Sequence, residues 1–356
     1  MPASSPASSL RPHRRGAWLL AGAVALAASA LYVHARVRRV EEEHPPFGRL
    51  IEVDGVALHV FDAGESPDDR QAVVLLHGNG AMALDFVLAG TVDAIAPVRR
   101  VLAFDRPGFG YSERPRGLGG WGRRWTPEAQ ADLIARALDQ LGVRRAVVFG
   151  HSWGTLVAVC LGLRHPDTVA HLVLASGYYY PTPRLDVPLL SLPALPLVGT
   201  LMRHTISPLL GRLLWRPLLR RMFGPAPVPA SFTAFPKWLA LRPEQLRAAA
   251  AETAGMIPAA FRLREQYAGL SMPVTIIAGD ADRPSHAQMQ SERLHRDIGG
   301  SALILVPGQG HMLHHLVPQV IEQALREAAG AMPHPVAPGA QRRFTAGRQS
   351  EEVMTP

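Results

Sequence analysis

Residues 150–154 read G-H-S-W-G, a serine between two glycines, directly after the apolar run Ala146-Val147-Val148-Phe149. A serine hydroxyl becomes a useful nucleophile only when a base takes its proton and fixed donors meet the oxyanion that forms. The pentapeptide alone is common by chance, so its context has to carry the reading. A strand-like run precedes it, and a helix-compatible run, Thr155–Leu163, follows it. That order puts Ser152 on a sharp strand-to-helix turn, where side chains at 150 and 154 would collide with neighbouring backbone. It also puts Ser152 at the amino end of a helix, where free N–H groups favour a developing anion.

The base and the group that orients it should lie just past other strand ends, where open α/β sheets build their sites. Two later apolar runs end suitably. Val274–Ala278 leads into Gly279-Asp280-Ala281-Asp282, and Ala302–Val306 leads into Pro307-Gly308-Gln309-Gly310-His311. Asp280 and Asp282 are the candidate acids; His311, with His314 and His315 close behind, supplies the candidate bases.

The elements that must hold these groups follow from pattern. Leu50–Asp62 reads as a hairpin turning at Asp54-Gly55. Apolar runs of strand length recur at Ala72–Leu76, Val98–Phe104, Ala146–Phe149, Leu172–Ala175, Val274–Ala278 and Ala302–Val306. Helical segments separate several of them, including Thr126–Leu141, which opens with proline in its first turn. The alternation predicts an α/β fold, a mostly parallel central sheet with helices on both faces. Residues 177–270 interrupt it with proline-rich stretches that forbid central strands, which predicts an inserted helical cap between core segments 45–176 and 271–330. Within the cap, Arg212, Arg216 and Arg220 share one helical face opposite Leu210, Leu214 and Leu218, with Pro217 expected to kink or break the helix. Such a helix either packs its leucines on the core or turns them toward lipid.

The chain has 356 residues, 47% of them hydrophobic, and a net charge of +8. Six arginines fall before residue 40 with no acids among them, so the body is close to neutral and no nucleic-acid partner is expected. Between those arginines, Gly16–Ala35 lacks any charged residue and as a helix would rise roughly 30 Å, enough to cross a bilayer. It is expected to be a single-pass membrane anchor behind a basic tail at 1–15; the alternative is a signal segment cleaved after Ala28-Ser29-Ala30, giving a secreted protein. The tail at 331–356 has little apolar periodicity and is expected to be disordered. The single cysteine, Cys160, makes no internal disulfide. The histidines lack paired carboxylate or cysteine ligands at useful spacing and there is no nucleotide signature, so neither metal nor cofactor is expected.

Five stretches in order, His77-Gly78-Asn79-Gly80, D-R-P-G-F-G-Y-S at 105–112, G-H-S-W-G, G-D-A-D and G-Q-G-H-M, make residues 47–330 resemble the α/β-hydrolase family. The resemblance implies Ser152 as nucleophile, His311 as general base and then acid, and Asp282 as the group orienting the imidazole. It favours Asp282 over Asp280, because the family's acid usually sits three residues after the strand-ending glycine. Some relatives place the acid after the preceding strand, but Ala175-Ser176-Gly177 offers no carboxylate. The oxyanion donors would be the backbone N–H groups of Asn79 and Trp153, with His77 a structural residue of its loop. Tyr178 and Tyr179, at the cap entrance, are candidate substrate-pocket residues. Relatives that open epoxides or displace halide carry aspartate at the nucleophile position, and Ser152 argues against that chemistry. The expected function is a membrane-anchored serine hydrolase, carboxylesterase- or lipase-like, acting on an ester of an apolar, lipid-like substrate. A carbon–carbon bond hydrolase using the same triad, or a non-catalytic binding protein of this fold, are the alternatives.

Overall fold

The computed structural model describes residues 12–65, 71–115, 125–330, 341–343 and 351–352. Residues 1–11 of the expected basic tail and most of the expected C-terminal tail lie outside these. The eight core strands are β1 (Arg49–Val53), β2 (Val56–Ala63), β3 (Gln71–Leu76), β4 (Val101–Phe104), β5 (Arg145–His151), β6 (Val169–Ala175), β7 (Val274–Gly279) and β8 (Ala302–Val306). They line up in the order β1-β2-β4-β3-β5-β6-β7-β8. Pairing is parallel from β4 through β8, while β1 and β2 run antiparallel at one edge. Strands β3 to β8 are apolar runs because helices cover both faces of the sheet. On one face pack Pro127–Gln140 and Trp153–Arg164; on the other lie the short helices Leu84–Leu88 and Thr91–Ile95 and the helix Pro318–Ala328.

The β1–β2 hairpin turns where expected. Asp54 and Gly55 both take positive φ, 52° and 70°, and Val53 pairs with Val56, the two-residue turn whose twist matches the flanking strands. Strand β4 starts three residues later than its apolar run, because the Val98 N–H is held by the Ile95 carbonyl in a turn. Two short strands, Gln341–Arg343 and Glu351–Glu352, fall in the tail expected to be disordered. The first pairs parallel with β8, whose outer backbone groups would otherwise form an open sheet edge.

The cap lies between β6 and β7 and is helical, with its longer helices at Val198–His204, Ile206–Phe223 and Pro243–Leu263. Ile206–Phe223 continues through Pro217 without a break, contrary to expectation. Its inner face is Leu209, Trp215, Leu219 and Met222, packed on a cluster with Phe223, Phe232 and Trp238. Leu210, Leu214 and Leu218 stay about half exposed, so they do not pack on the core.

The N-terminal helix runs Pro12–Glu43, well beyond the expected end at Ala35. It is the one helix among the described residues long and apolar enough to cross a membrane. Its first half projects from the body, with Trp18 77% and Val24 60% exposed. Its second half docks on the cap: Val33 and Val40 are buried, the Ser29 hydroxyl donates to the Thr205 carbonyl at 2.8 Å, and Tyr32 meets Trp238 edge-on.

Candidate active site

Ser152 joins β5 to the helix Trp153–Arg164 with φ 53° and ψ −119°, a conformation disfavoured for a residue with a Cβ. The turn that imposes it is tight. A Cβ at Gly154 would sit 2.2 Å from the Leu76 carbonyl oxygen, and one at Gly150 would press on the Gly154–Thr155 backbone at 2.7 Å. The Ser152 N–H donates to the Ala175 carbonyl at 2.9 Å, which ties the turn to the end of β6.

His311 and Asp282 meet past the ends of β8 and β7. His311 Nδ1–H donates to Asp282 Oδ2 at 2.9 Å, with both side chains almost fully buried. That bond fixes the proton on Nδ1 and leaves Nε2 as the accepting atom. Burial opposes ionisation of Asp282. The His311 ring beside it and the Ser285 N–H donated to Oδ1 at 2.9 Å outweigh burial and hold the carboxyl below its ordinary range. Asp280 is elsewhere: its Oδ1 accepts the Gly308 N–H at 2.7 Å and steadies the loop leading to His311. His311 is adjacent to the Ser152 turn through His151, whose Nε2–H donates to the His311 carbonyl at 3.0 Å. The His311 N–H donates to the Met222 carbonyl at 3.0 Å, so the end of the cap helix buttresses the histidine loop.

The His77–Gly80 loop lies against the same turn; a Cβ at Gly78 would come within 3.1 Å of Ser152 Cβ. The Trp153 N–H opens its helix and has no carbonyl four residues back to bond. His77 is fully buried and doubly bonded: Nδ1–H donates to the Gly78 carbonyl at 2.8 Å, and Nε2 accepts the Arg106 N–H at 3.0 Å. Burial, reinforced by the Arg106 charge, pushes its pKa down to about 3, so it stays neutral.

Arg106, in the D-R-P-G-F-G-Y-S stretch, is a positioning residue that sequence reasoning missed. Its buried guanidinium donates to the His77 carbonyl at 2.8 Å, the Gly78 carbonyl at 3.0 Å and Gln130 Oε1 at 3.0 Å, and it pairs with both oxygens of Glu252. Glu252 belongs to the cap helix Pro243–Leu263, whose neighbouring turns also reach this loop. Asn79 Nδ2 donates to the Ala249 carbonyl and to Thr253 Oγ1, both at 3.1 Å, and Gln245 Nε2 donates to the Gly80 carbonyl at 3.2 Å. Residues 245, 249 and 252 recur at helical spacing, so one face of a cap helix holds the loop. The partners are more than a hundred residues apart in the chain, so no local pattern could signal them. Asp105, next to Arg106, is likewise occupied. Its oxygens accept the Ala83 N–H, the Tyr111 N–H and His59 Nδ1–H at 2.7–2.9 Å.

Tyr179, expected at the pocket, is instead a core residue. It is fully buried, its ring fills the space left by the absent Cβ of Gly177, and its carbonyl accepts the Tyr267 hydroxyl at 2.6 Å. Tyr178 is also buried, its hydroxyl 3.1 Å from Thr182 Oγ1.

The expectation of no metal-type grouping also needs correction. Asp85, His314 and His315 bring their ligand atoms within 4.8 Å of one another. His314 Nε2–H and His315 Nε2–H donate to the two oxygens of Asp85 at 2.9 and 2.7 Å, so the grouping is a hydrogen-bonded cluster against the His151 ring, with both Nδ1 atoms buried without a partner. Burial opposes the Asp85 charge, but the two imidazoles outweigh it and hold the carboxyl far below its ordinary range. Asp85 is 229 residues from His314, which hides the cluster from any spacing rule.

Comparison with known proteins gives the geometry a family. Residues 71–318 match the family model described as the alpha/beta hydrolase fold. The chain is 33% identical over 133 residues to 2-hydroxymuconate semialdehyde hydrolase of Pseudomonas putida, 37% of this chain and 44% of that protein. It is 36% identical over 145 residues to epoxide hydrolase A of Mycobacterium tuberculosis, 40% of this chain and 42% of that protein. The matches thus span less than half the length of these curated relatives. Among solved structures, a bacterial membrane phospholipase A superposes with a TM-score of 0.60 at 22% identity, over 89% of this chain and 98% of that one. The sheet order, the strained serine turn after β5 and the family match over most of the chain together make this protein a member of the α/β-hydrolase fold family.

Proposed function

We propose that the protein is a membrane-anchored serine hydrolase that cleaves an ester of an apolar substrate through an acyl-enzyme on Ser152. The observation that carries the reading is the His311 Nδ1–Asp282 Oδ2 bond of 2.9 Å past the ends of β8 and β7, in the same molecule as the strained Ser152 turn. In this reading His311 Nε2 takes the Ser152 proton as Oγ attacks the ester carbonyl. The carbonyl oxygen becomes an oxyanion that accepts from the Trp153 and Asn79 N–H groups. His311 then returns the proton to the leaving alcohol, and water, deprotonated by the same ring, releases the acid and regenerates Ser152. Asp282 stays ionised throughout and stabilises the imidazolium.

Two features support membrane anchoring rather than signal cleavage. The helix from Ser29 onward packs on the cap as part of the fold. The cap helices it touches also present Leu201, Ile206, Leu213 and Leu214 to the outside, a surface suited to an apolar phase. The likeness to a membrane phospholipase A agrees with a lipid-like ester. The likeness to a semialdehyde hydrolase over the core favours a second reading, carbon–carbon hydrolysis of a dienoic diketone on the same triad.

The test is labelling of the full chain with a fluorophosphonate probe, with the adduct located by peptide mass, followed by turnover of p-nitrophenyl esters of increasing length. Labelling at Ser152 that vanishes in Ser152→Ala, with octanoyl esters preferred to acetyl, is the expected result. Unlabelled wild type, or equal labelling of the alanine variant, overturns the acyl-enzyme; faster turnover of a dienoic diketone than of any ester selects the second reading.

A further inference from the structure

Where the N-terminal helix leaves the apolar stretch it forms one wall of a cavity of about 590 Å³, whose opposite wall is the cap. Four cations line it: Arg36 from the N-terminal helix, Arg216 and Arg220 from the cap helix Ile206–Phe223, and Lys237. Among the described residues none of the four makes an ion pair within 4.0 Å, and the one acidic charge that Arg36 acts on is Glu43. The acidic lining residue, Glu43, is bound to Arg39 Nε at 2.7 Å. Arg36 lies over the Trp238 ring, 5.3 Å from its centroid, and its Nε is buried without a hydrogen-bond partner. A buried donor left unmet is costly, and Arg216 and Arg220, four apart on one helix, repel each other. Both costs fall when an anion with several acceptor oxygens enters between them.

The level of the cavity narrows the ligand. Arg36 is the first charged residue after the apolar stretch, and the wall from Arg36 to His44 rises about 12 Å along the helix. If Gly16–Ala35 spans a bilayer, that places the cations and the flanking Trp215 and Trp238 in the headgroup layer, where interfacial aromatics collect. We propose that this cavity is a binding site for a phosphate group, carried by an anionic phospholipid headgroup or present as free phosphate. The site is separate from Ser152 and does not depend on the proposed reaction; only the lipid source rests on the anchor reading.

The experiment is thermal unfolding of the full chain in dodecyl maltoside micelles. One series adds dioleoyl phosphatidylglycerol or dioleoyl phosphatidylcholine, and the other adds sodium phosphate or sodium chloride at matched ionic strength. The variants are Arg216→Gln/Arg220→Gln and, as a control for lost charge away from the cap, Arg144→Gln/Arg145→Gln at the amino end of the central strand β5. Wild type and control are expected to be stabilised by phosphatidylglycerol at a concentration at least tenfold lower than by phosphatidylcholine, with that preference lost in the cavity variant. Stabilisation by phosphatidylglycerol alone identifies a lipid headgroup; stabilisation by sodium phosphate as well shows that the phosphate group suffices. No preference for either anion in wild type, an unchanged preference in the cavity variant, or an equal loss in the control overturns the proposal.

Discussion

Arg106→Met is the most informative single change, because one buried guanidinium serves both the fold and the loop beside the nucleophile. The substitution removes five hydrogen bonds and leaves Glu252 buried, with Gln130 Nε2 at 3.0 Å as its remaining partner. An uncompensated buried charge of this kind costs about 3–5 kcal/mol, a large part of the roughly 5–15 kcal/mol that holds a domain folded. The double variant Arg106→Met/Glu252→Met removes the stranded charge and should return to within about 2 kcal/mol of wild type. Its activity should not return. The His77 and Gly78 carbonyls still lack their donors, so the loop carrying Asn79 is slack; since losing an oxyanion donor outright costs about 10²–10³ in kcat, slackening it should cost roughly 10–100-fold. Urea unfolding gives the stability and p-nitrophenyl butyrate turnover gives kcat. A single variant that loses less than about 1 kcal/mol, or a double variant that recovers kcat together with stability, would refute a positioning role for Arg106.

Asp282→Asn should lower kcat on the order of 10⁴-fold through the wrong imidazole tautomer, while Asp280→Asn should leave it within about tenfold; turnover of p-nitrophenyl butyrate ranks the two acids. His77 takes up a proton near pH 6.5 when unfolded but only near 3 when folded. Stability should therefore fall on acidification, by about 2 kcal/mol between pH 7 and 5 from this group alone; urea unfolding of His77→Asn should show that much less loss over the same interval. Gly154→Ala forces a Cβ against the Leu76 carbonyl oxygen and should cost about 1–3 kcal/mol. Gly255→Ala, whose Cβ would meet only Trp153 at an ordinary 3.7 Å, should be neutral or slightly stabilising by thermal unfolding.

The Ser152 turn and the ends of β7 and β8 were legible because their signals are local: apolar runs of strand length, glycines where backbone crowds, and polar residues immediately after. Asp282 was favoured over Asp280 by the family's spacing alone, and the fold places the first on His311 and the second on the Gly308 N–H. The supporting contacts were out of reach for the opposite reason. Arg106 meets Glu252 across 146 residues and His315 meets Asp85 across 230, and no periodicity spans such gaps. Tyr179 misled because an aromatic at a cap entrance looks the same whether it lines a pocket or fills the hole above a glycine. The leucine stripe of Ile206–Phe223 was equally ambiguous: amphipathic spacing shows that two faces differ, not which one is inside.

The chain enters the cap from Ala175 and returns at Val274, on two strands that are hydrogen-bonded neighbours. The whole cap is thus a closed excursion whose ends are pinned on neighbouring parallel strands, three residues apart along the ladder and so about 11 Å from each other. The entropy of closing such an excursion grows only with the logarithm of its length, so doubling it costs about 0.6 kcal/mol. Lengthening or shortening the excursion away from Met222, Gln245, Ala249 and Glu252, which brace the site loops, therefore leaves the register of the sheet nearly untouched. The outer surface of the cap can drift on one part of the polymer while the placement of Ser152, Asp282 and His311 at the strand ends is inherited on another.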